Sequence, residues 1–333
     1  LGAALLDAAD GRGLDELLAA RDASDDAVVR AEIASVLVTS LVLRGRLDEG
    51  RRLSSESLTE HGEQGPPGLS AHLRSEWYMG LAWTGEDLDR TALLRDVERV
   101  SVDTLGERQL LSFAAMLFTV GYGTLAEGLG AAERLAACGD LLVADAAAGW
   151  LRANTALPFV LRGDIERALA LLDDQLGAAR RRGSPTQVGV VLVDRAIALL
   201  ARGDLAEAEA EAATAAKLFG AAGLEATMSP IASAAVAVTR LERGDVAGAA
   251  TALPVTERVE DLPPLFAHGQ LCVALGRLHH TEGRHDEARD ALLAARERLQ
   301  QLPYPEPNIS GWRPRLALTE HALGRTEQAR ALA

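Results

Sequence analysis

Three histidines and two carboxylates stand within eight residues in His279-His280-Thr281-Glu282-Gly283-Arg284-His285-Asp286, and such side chains are common ligands of zinc and related ions. No two of the histidines are four apart, the spacing that sets a ligand pair on one helix face, and the run straddles a glycine turn. Solvated side chains at a helix corner are therefore expected, with no metal bound. Cys138 and Cys272 lie far apart and form neither a disulfide framework nor a ligand pair; both are expected to be small buried residues in a reducing compartment. No Gly-x-Ser-x-Gly elbow occurs, and no serine or cysteine has a histidine at a suggestive spacing. A phosphate loop of the form Gly-x-x-x-x-Gly-Lys-Ser/Thr requires a lysine, and the single lysine, Lys217, lies in no such loop. The expectation is a chain without a catalytic centre and without a cofactor of its own.

What remains is the chemistry of recognition. Asp194-Arg195 interrupts a strongly apolar stretch, where an unpaired charge is costly. The pair either reaches a ligand or is absorbed in a salt bridge between neighbouring helices. Aromatic residues make up only 4% of the chain, yet Trp77, Tyr78, Trp83, Phe113 and Trp150 fall in one stretch, leaving Trp312 as the only tryptophan elsewhere.

The elements that position these residues follow from a glycine signature that returns at Gly45, Gly85, Gly123, Gly163, Gly203, Gly244, Gly283 and Gly324, in steps of 40, 38, 40, 40, 41, 39 and 41. A repeat of this length predicts stacked helix pairs. The glycine ends a first helix, A, in the left-handed conformation that a Cβ disfavours. Asp164, Asp204 and Asp245 follow directly and are expected to cap the second helix, B, with Glu207 completing a capping box at Asp204. Five residues after most of the glycines comes a small residue, Gly50, Gly128, Ala168, Ala208, Ala249, Ala288 or Ala329, which lets the two helices approach; the second copy departs, with Arg90 there. The clearest unit runs from Thr186 to Gly220, where Val188, Val191, Leu192, Ala196, Leu199 and Leu200 mark one helical stripe and Leu205, Ala208, Ala212, Ala215 and Leu218 the next. The fold expected is all-α, a right-handed superhelical solenoid of about eight tetratricopeptide-like helix-turn-helix repeats, spanning 1–333 as a single domain. Pro230 should sit in the first turn of a helix, whereas Pro158 should kink or break the helix that contains it. The proline-interrupted segment from Pro254 to Pro264 should be irregular.

In such a stack the A helices line the concave face, where solenoids bind. Aligning the turns puts Phe113, Leu117, Trp150 and Asn154 at inward positions, with Trp77 and Tyr78 on the preceding A helix and Asp194 and Arg195 on a later one. These eight residues are the candidate groove, for a small-molecule inducer or a protein or peptide partner. The competing reading is that the aromatics fill wide gaps between irregular helices. Arg74, Glu76, Arg108, Gln109 and Arg152 are placed to rim the same groove.

From Arg162 onward the wording of the chain resembles the regulatory region of the large ATP-binding LuxR-type transcriptional regulators, the group related to the maltose regulator MalT. The residues that carry the resemblance are the Arg-Gly-Asp-x-x-x-Ala turns, Gly276-Arg277-Leu278 followed by Gly283-Arg284 and Ala288, and the set Asn308, Trp312-Arg313, Leu316-Ala317-Leu318, Ala322-Leu323-Gly324-Arg325. The resemblance implies a sensor region that controls an N-terminal ATPase and a C-terminal helix-turn-helix DNA-binding module. Neither module is in this sequence, so ATP and DNA would belong to absent parts. Opening at Leu1 and ending inside an expected B helix, the chain reads as a piece of a longer protein. A net charge of −14 argues against nucleic acid and against an anionic membrane surface. No signal peptide and no bilayer-spanning run occurs, so a cytoplasmic location is expected, with self-association possible.

Overall fold

Glycine in the left-handed region ends helix after helix. Gly45, Gly163, Gly203, Gly244, Gly283 and Gly324 all have φ between 76° and 94°. At Gly203 the strain is purely local, because a Cβ there would meet nothing within 4 Å. Gly203→Ala should therefore lower stability by about 1 kcal/mol, the cost of a left-handed alanine, with the helices on either side retained by circular dichroism.

The computed structural model describes residues 12–61, 67–84, 88–138, 154–225, 227–253, 266–301 and 311–333. Helix α1 (Arg12–Ala23) precedes the first pair, α2 (Ala27–Leu43) and α3 (Leu47–His61). The second pair is α4 (Pro67–Thr84) with α5 (Arg90–Arg99), and the third is α6 (Leu105–Leu117) with α7 (Leu125–Ala136). A shortened A helix, α8 (Leu157–Arg162), leads into α9 (Ile165–Arg182). The two long helices α10 (Pro185–Arg202) and α11 (Leu205–Ala221) form the most regular repeat. They are followed by α12 (Ser229–Glu242) with α13 (Val246–Ala252) and by α14 (Phe266–Thr281) with α15 (His285–Gln301). The last pair is α16 (Trp312–Ala322) with α17 (Thr326–Leu332). There is no strand among the described residues, and no described helix is long and apolar enough to cross a membrane. The chain is an all-α helical-repeat solenoid.

Each helix packs chiefly on its neighbours in sequence, as a one-dimensional stack requires. The small residues sit at the A/B crossings: Ala168, Ala208, Ala249 and Ala288 are fully buried. A contact that leaves this nearest-neighbour pattern is the hydrogen bond from the Thr227 hydroxyl to the Leu43 carbonyl, which joins the first turn to the connection entering α12.

Caps form differently from the expectation. Of the three aspartates, only Asp245 caps its helix, accepting from the Gly248 N–H at 2.8 Å. Asp164 makes no side-chain cap; Asp204 turns instead to Arg202, so no capping box forms with Glu207. The boxes that do form are Thr104 with Glu107 and Thr124 with Glu127. Pro230 stands in the first turn of α12 as expected. Pro158 lies in the first turn of α8, so the chain restarts a helix there after the 3-10 turn Asn154–Ala156. The segment from Pro254 to Pro264 and residues 303–310, Asn308 among them, lie outside the described residues.

Gly123 is not the turn glycine of the third repeat. The chain leaves α6 through a π-helical turn, Phe118–Tyr122, and Gly121 carries the positive φ, 131°. The true helix end thus falls two residues earlier, which rotates every alignment counted from Gly123 by about 200° around the helix.

Candidate functional site

Among the described residues the expected aromatic groove does not assemble. Phe113 and Leu117 belong to α6, a helix buried around almost its whole circumference, and they are 1% and 0% exposed. Their removal from any groove has two causes, the shifted helix end at Gly121 and the enclosure of α6 by its neighbours. Tyr78 is also core; its hydroxyl donates to Asp96 Oδ2 at 2.7 Å, and Arg74 donates to the same carboxylate at 2.9 Å. Burial, then the Asp96 hydrogen bond, pushes the Tyr78 phenol up, so it stays neutral. The expected rim is likewise used internally. Glu76, fully buried, accepts from Thr39 at 2.8 Å and Gln109 at 2.9 Å, and Arg108 donates to the Val102 and Asp103 carbonyls at 2.7 and 3.0 Å. Trp77 alone of the described aromatic candidates reaches a cavity, an 860 Å³ space between α3 and α4 lined mainly by charged side chains of α3. Trp150 and Arg152 lie outside the described residues, as do the side chains of Trp83 and Asn154.

Asp194 and Arg195, about 100° apart around the helix, have different fates. Arg195 is nearly buried and inserts between α9 and α11, pairing with Asp173, with Glu211 at 3.0 Å and with Glu207 at 3.5 Å. It is committed within the chain and is not a free ligand contact. Asp194 faces away from that cluster. One of its carboxyl oxygens is sealed from solvent with no hydrogen-bond partner among the described residues. Burial raises its pKa to about 7.

A proton is therefore held by native Asp194 up to about pH 7 but lost from the unfolded chain near pH 3.8. Between those values the native state binds more protons, so this group's stability contribution is full below pH 3.8 and is lost as pH rises through 7. The loss is at most about 4 kcal/mol, and smaller in practice because the residue keeps partial exposure. Asp194→Asn should raise the melting temperature at pH 8 and flatten the stability profile from pH 4 to 8, as followed by thermal unfolding.

A cavity that runs across the A helices lies in the second half of the stack. It has a volume of 330 Å³ and draws its walls from five successive A helices. Helix α12 supplies the floor through Ile231, Ala234, Ala235 and Val238, an i, i+3, i+4, i+7 stripe of one helix face. Leu157 and Leu161 of α8 and Ile197 and Leu200 of α10 extend it one way. Gln270, Val273 and Arg277 of α14, with Arg315 of α16, extend it the other. The register is regular: Leu157, Ile197, Val238 and Arg277 each stand six residues before their turn glycine. Leu318 occupies the same column on α16, is 53% exposed, and lines an adjoining 190 Å³ cavity with Arg277, Arg315 and His280. Arg277 is paired with Glu242. Arg315 has no hydrogen-bonding carboxylate among the described residues; burial, with Arg277 close by, lowers its pKa. The trough is thus apolar over α8 to α12 and cationic at α14 and α16.

Among the described residues no group of three or more His, Cys, Asp or Glu side chains is placed to hold a metal ion. His280 Nδ1 is 3.1 Å from Thr319 Oγ1, and its ring lies 5.0 Å from that of His285. Cys272 is buried, which pushes its thiol up to about 11, whereas Cys138 is only half-buried, against expectation; both are free.

Comparison with solved structures gives the fold. A chain of the APC/C hetero-tetramer Cut9–Hcn1 superimposes with a TM-score of 0.63 at 11% identity, over 97% of this chain and 56% of that one. This chain therefore spans about half the length of that relative. BtubC (BKLC) from P. vanneervenii aligns with a TM-score of 0.43 at 17% identity, over 74% of this chain and 89% of its own. The Cut9 likeness marks the solenoid as tetratricopeptide-like. No protein-family model matches the sequence. No curated protein matches it either.

Proposed function

We propose that the chain is a scaffold whose concave trough over α8 to α16 holds an extended peptide segment of a partner protein. The observation that carries this reading is the common register of the trough. Four A helices, α8, α10, α12 and α14, place half-buried side chains in one column, and a narrow space drawn across five helices suits an extended chain better than a compact metabolite. The similarity to a subunit of a multi-protein assembly fits the same reading. A small-molecule inducer would find more room beside Trp77, in a wider space bounded by Trp77, Leu81 and the charged side chains of α3, but that space lies between two helices and follows no column of the repeats.

The motifs from Arg162 to Arg325 favour a setting for such a scaffold, between the ATPase and DNA-binding modules of a LuxR-type regulator. There, a partner seated in the trough would select one curvature of the stack and bias the attached ATPase. No nucleic acid or membrane contact by this segment is proposed, given its charge of −14.

The test is selection of peptides from a random-sequence display library on the 333-residue chain. Val238→Glu should weaken the selected peptides by about a hundredfold, because binding would bury an unpaired carboxylate. Its melting temperature should hold, since Val238 is only half-buried. Peptides bound equally by the variant would place recognition elsewhere. Enrichment of no peptide, with a thermal shift from a metabolite panel that Trp77→Ala abolishes, would favour the inducer reading.

A further inference from the structure

Two ionisable side chains on the A-helix face, the half-buried Asp194 and the exposed Arg315, have no hydrogen-bonding partner among the described residues. Asp194 and Arg315 both stand nine residues before their turn glycines, on the column that α12 fills with Ala235 in the floor of the trough. Asp194 is one helical turn from Ile197, a wall residue, and its buried oxygen has no partner among the described residues. Arg315 is itself a wall residue, exposed to solvent, and has no hydrogen-bonding carboxylate there, Glu242 acting on it only at longer range. They cannot neutralise one another, because α12 and α14 lie between them, at about 10 Å per helix step. The neighbouring charges are already matched: Arg195 is held by three carboxylates of α9 and α11, and Arg277 by Glu242. Between the two open charges, the α12 stripe offers only aliphatic contact.

We propose that the trough reads charge order: the partner segment places a basic side chain on Asp194, an aliphatic stretch across α12, and an acidic side chain on Arg315. This rests on the peptide-scaffold reading above and adds a direction to it. The order has a physical basis in the cost of burying unpaired charge. A segment of this polarity satisfies both groups when it excludes water, whereas the reversed segment sets like charges together at both ends. An apolar segment without charges would bury both groups unpaired.

The experiment uses the same display selection, scored by the order of charges in enriched peptides. Sequences with lysine or arginine at one end, leucine, isoleucine or valine in the middle, and aspartate or glutamate at the other end are expected. Asp194→Asn and Arg315→Gln should each weaken these peptides by about tenfold, the loss of one charge-assisted contact. Asp174→Asn removes the same charge from an exposed site on α9 and should leave affinity unchanged, which separates a local contact from the general attraction of an acidic chain for basic peptides. Enriched peptides that depend on Val238 but show no charge order, or that bind Asp194→Asn and Arg315→Gln normally, would overturn the charge-order inference and leave the peptide scaffold standing. If no enriched peptide responds to Val238→Glu, the scaffold reading falls and the inference with it.

Discussion

Gly106→Ala is expected to destabilise the first half of the stack by about 3 kcal/mol while leaving the second half folded. Gly106, in the first turn of α6, packs against the backbone of α4 so closely that a Cβ would fall on the Gly68 carbonyl oxygen and lie 2.9 Å from the His72 backbone nitrogen. Backbone cannot swing away as the tip of a side chain can, so α4 and α6 must separate. Their separation breaks the Glu76–Gln109 hydrogen bond that spans the same two helices, and Glu76 is fully buried. In a compact globule such damage would lower the stability of the whole molecule. Here α10 to α17 are reached from α6 chiefly through successive helix contacts, the Thr227–Leu43 hydrogen bond apart, so the loss should stay local. Hydrogen exchange measured on the variant should lose protection over α4 to α7 and keep it over α10 to α15. Uniform loss along the chain would show that the repeats unfold as one unit.

The sequence told most where one residue type has one physical job. Left-handed glycines and fully buried small residues stand where the spacing put them in repeats four to eight, because Gly163, Gly203, Gly244, Gly283 and Gly324 each meet a backbone demand that other residues fill poorly. The third repeat misled for a related reason. Gly121 and Gly123 are both able to end a helix, and the 40-residue period favours Gly123; only the π turn at Phe118–Tyr122 selects Gly121. Aromatic content was a poor guide to the site. In an Ala- and Leu-rich interior a large ring fills volume, and Tyr78 and Phe113 are among the largest fully buried side chains. The trough was not read from the sequence, because its walls are half-buried aliphatic residues of the regular repeats, Ile197, Ile231 and Val238 among them, which composition does not distinguish from core.

The other large effect is expected at Arg195. Its guanidinium joins three helices: α9 through Asp173, its own α10, and α11 through Glu207 and Glu211. Glu211 takes both Nε contacts, at 3.1 and 3.0 Å, and its side chain is 15% exposed, whereas Asp173 and Glu207 are more than half exposed. Removing one partner of a fully buried pair costs about 3–5 kcal/mol. Two of the three carboxylates here can retreat into water, so about 2 kcal/mol is the expected loss for Arg195→Ala. The charge must be separated from the long aliphatic stem, which also packs. Arg195→Met keeps the stem and should be nearly as damaging as alanine, since three carboxylates still face one another without a cation. Adding Glu211→Gln to Arg195→Met removes the most buried of those charges and should restore about half of the loss. Urea unfolding of the two single variants and the double variant measures the coupling. If Arg195→Met matches the parent chain, the stem is what holds the three helices together and the ion cluster contributes nothing.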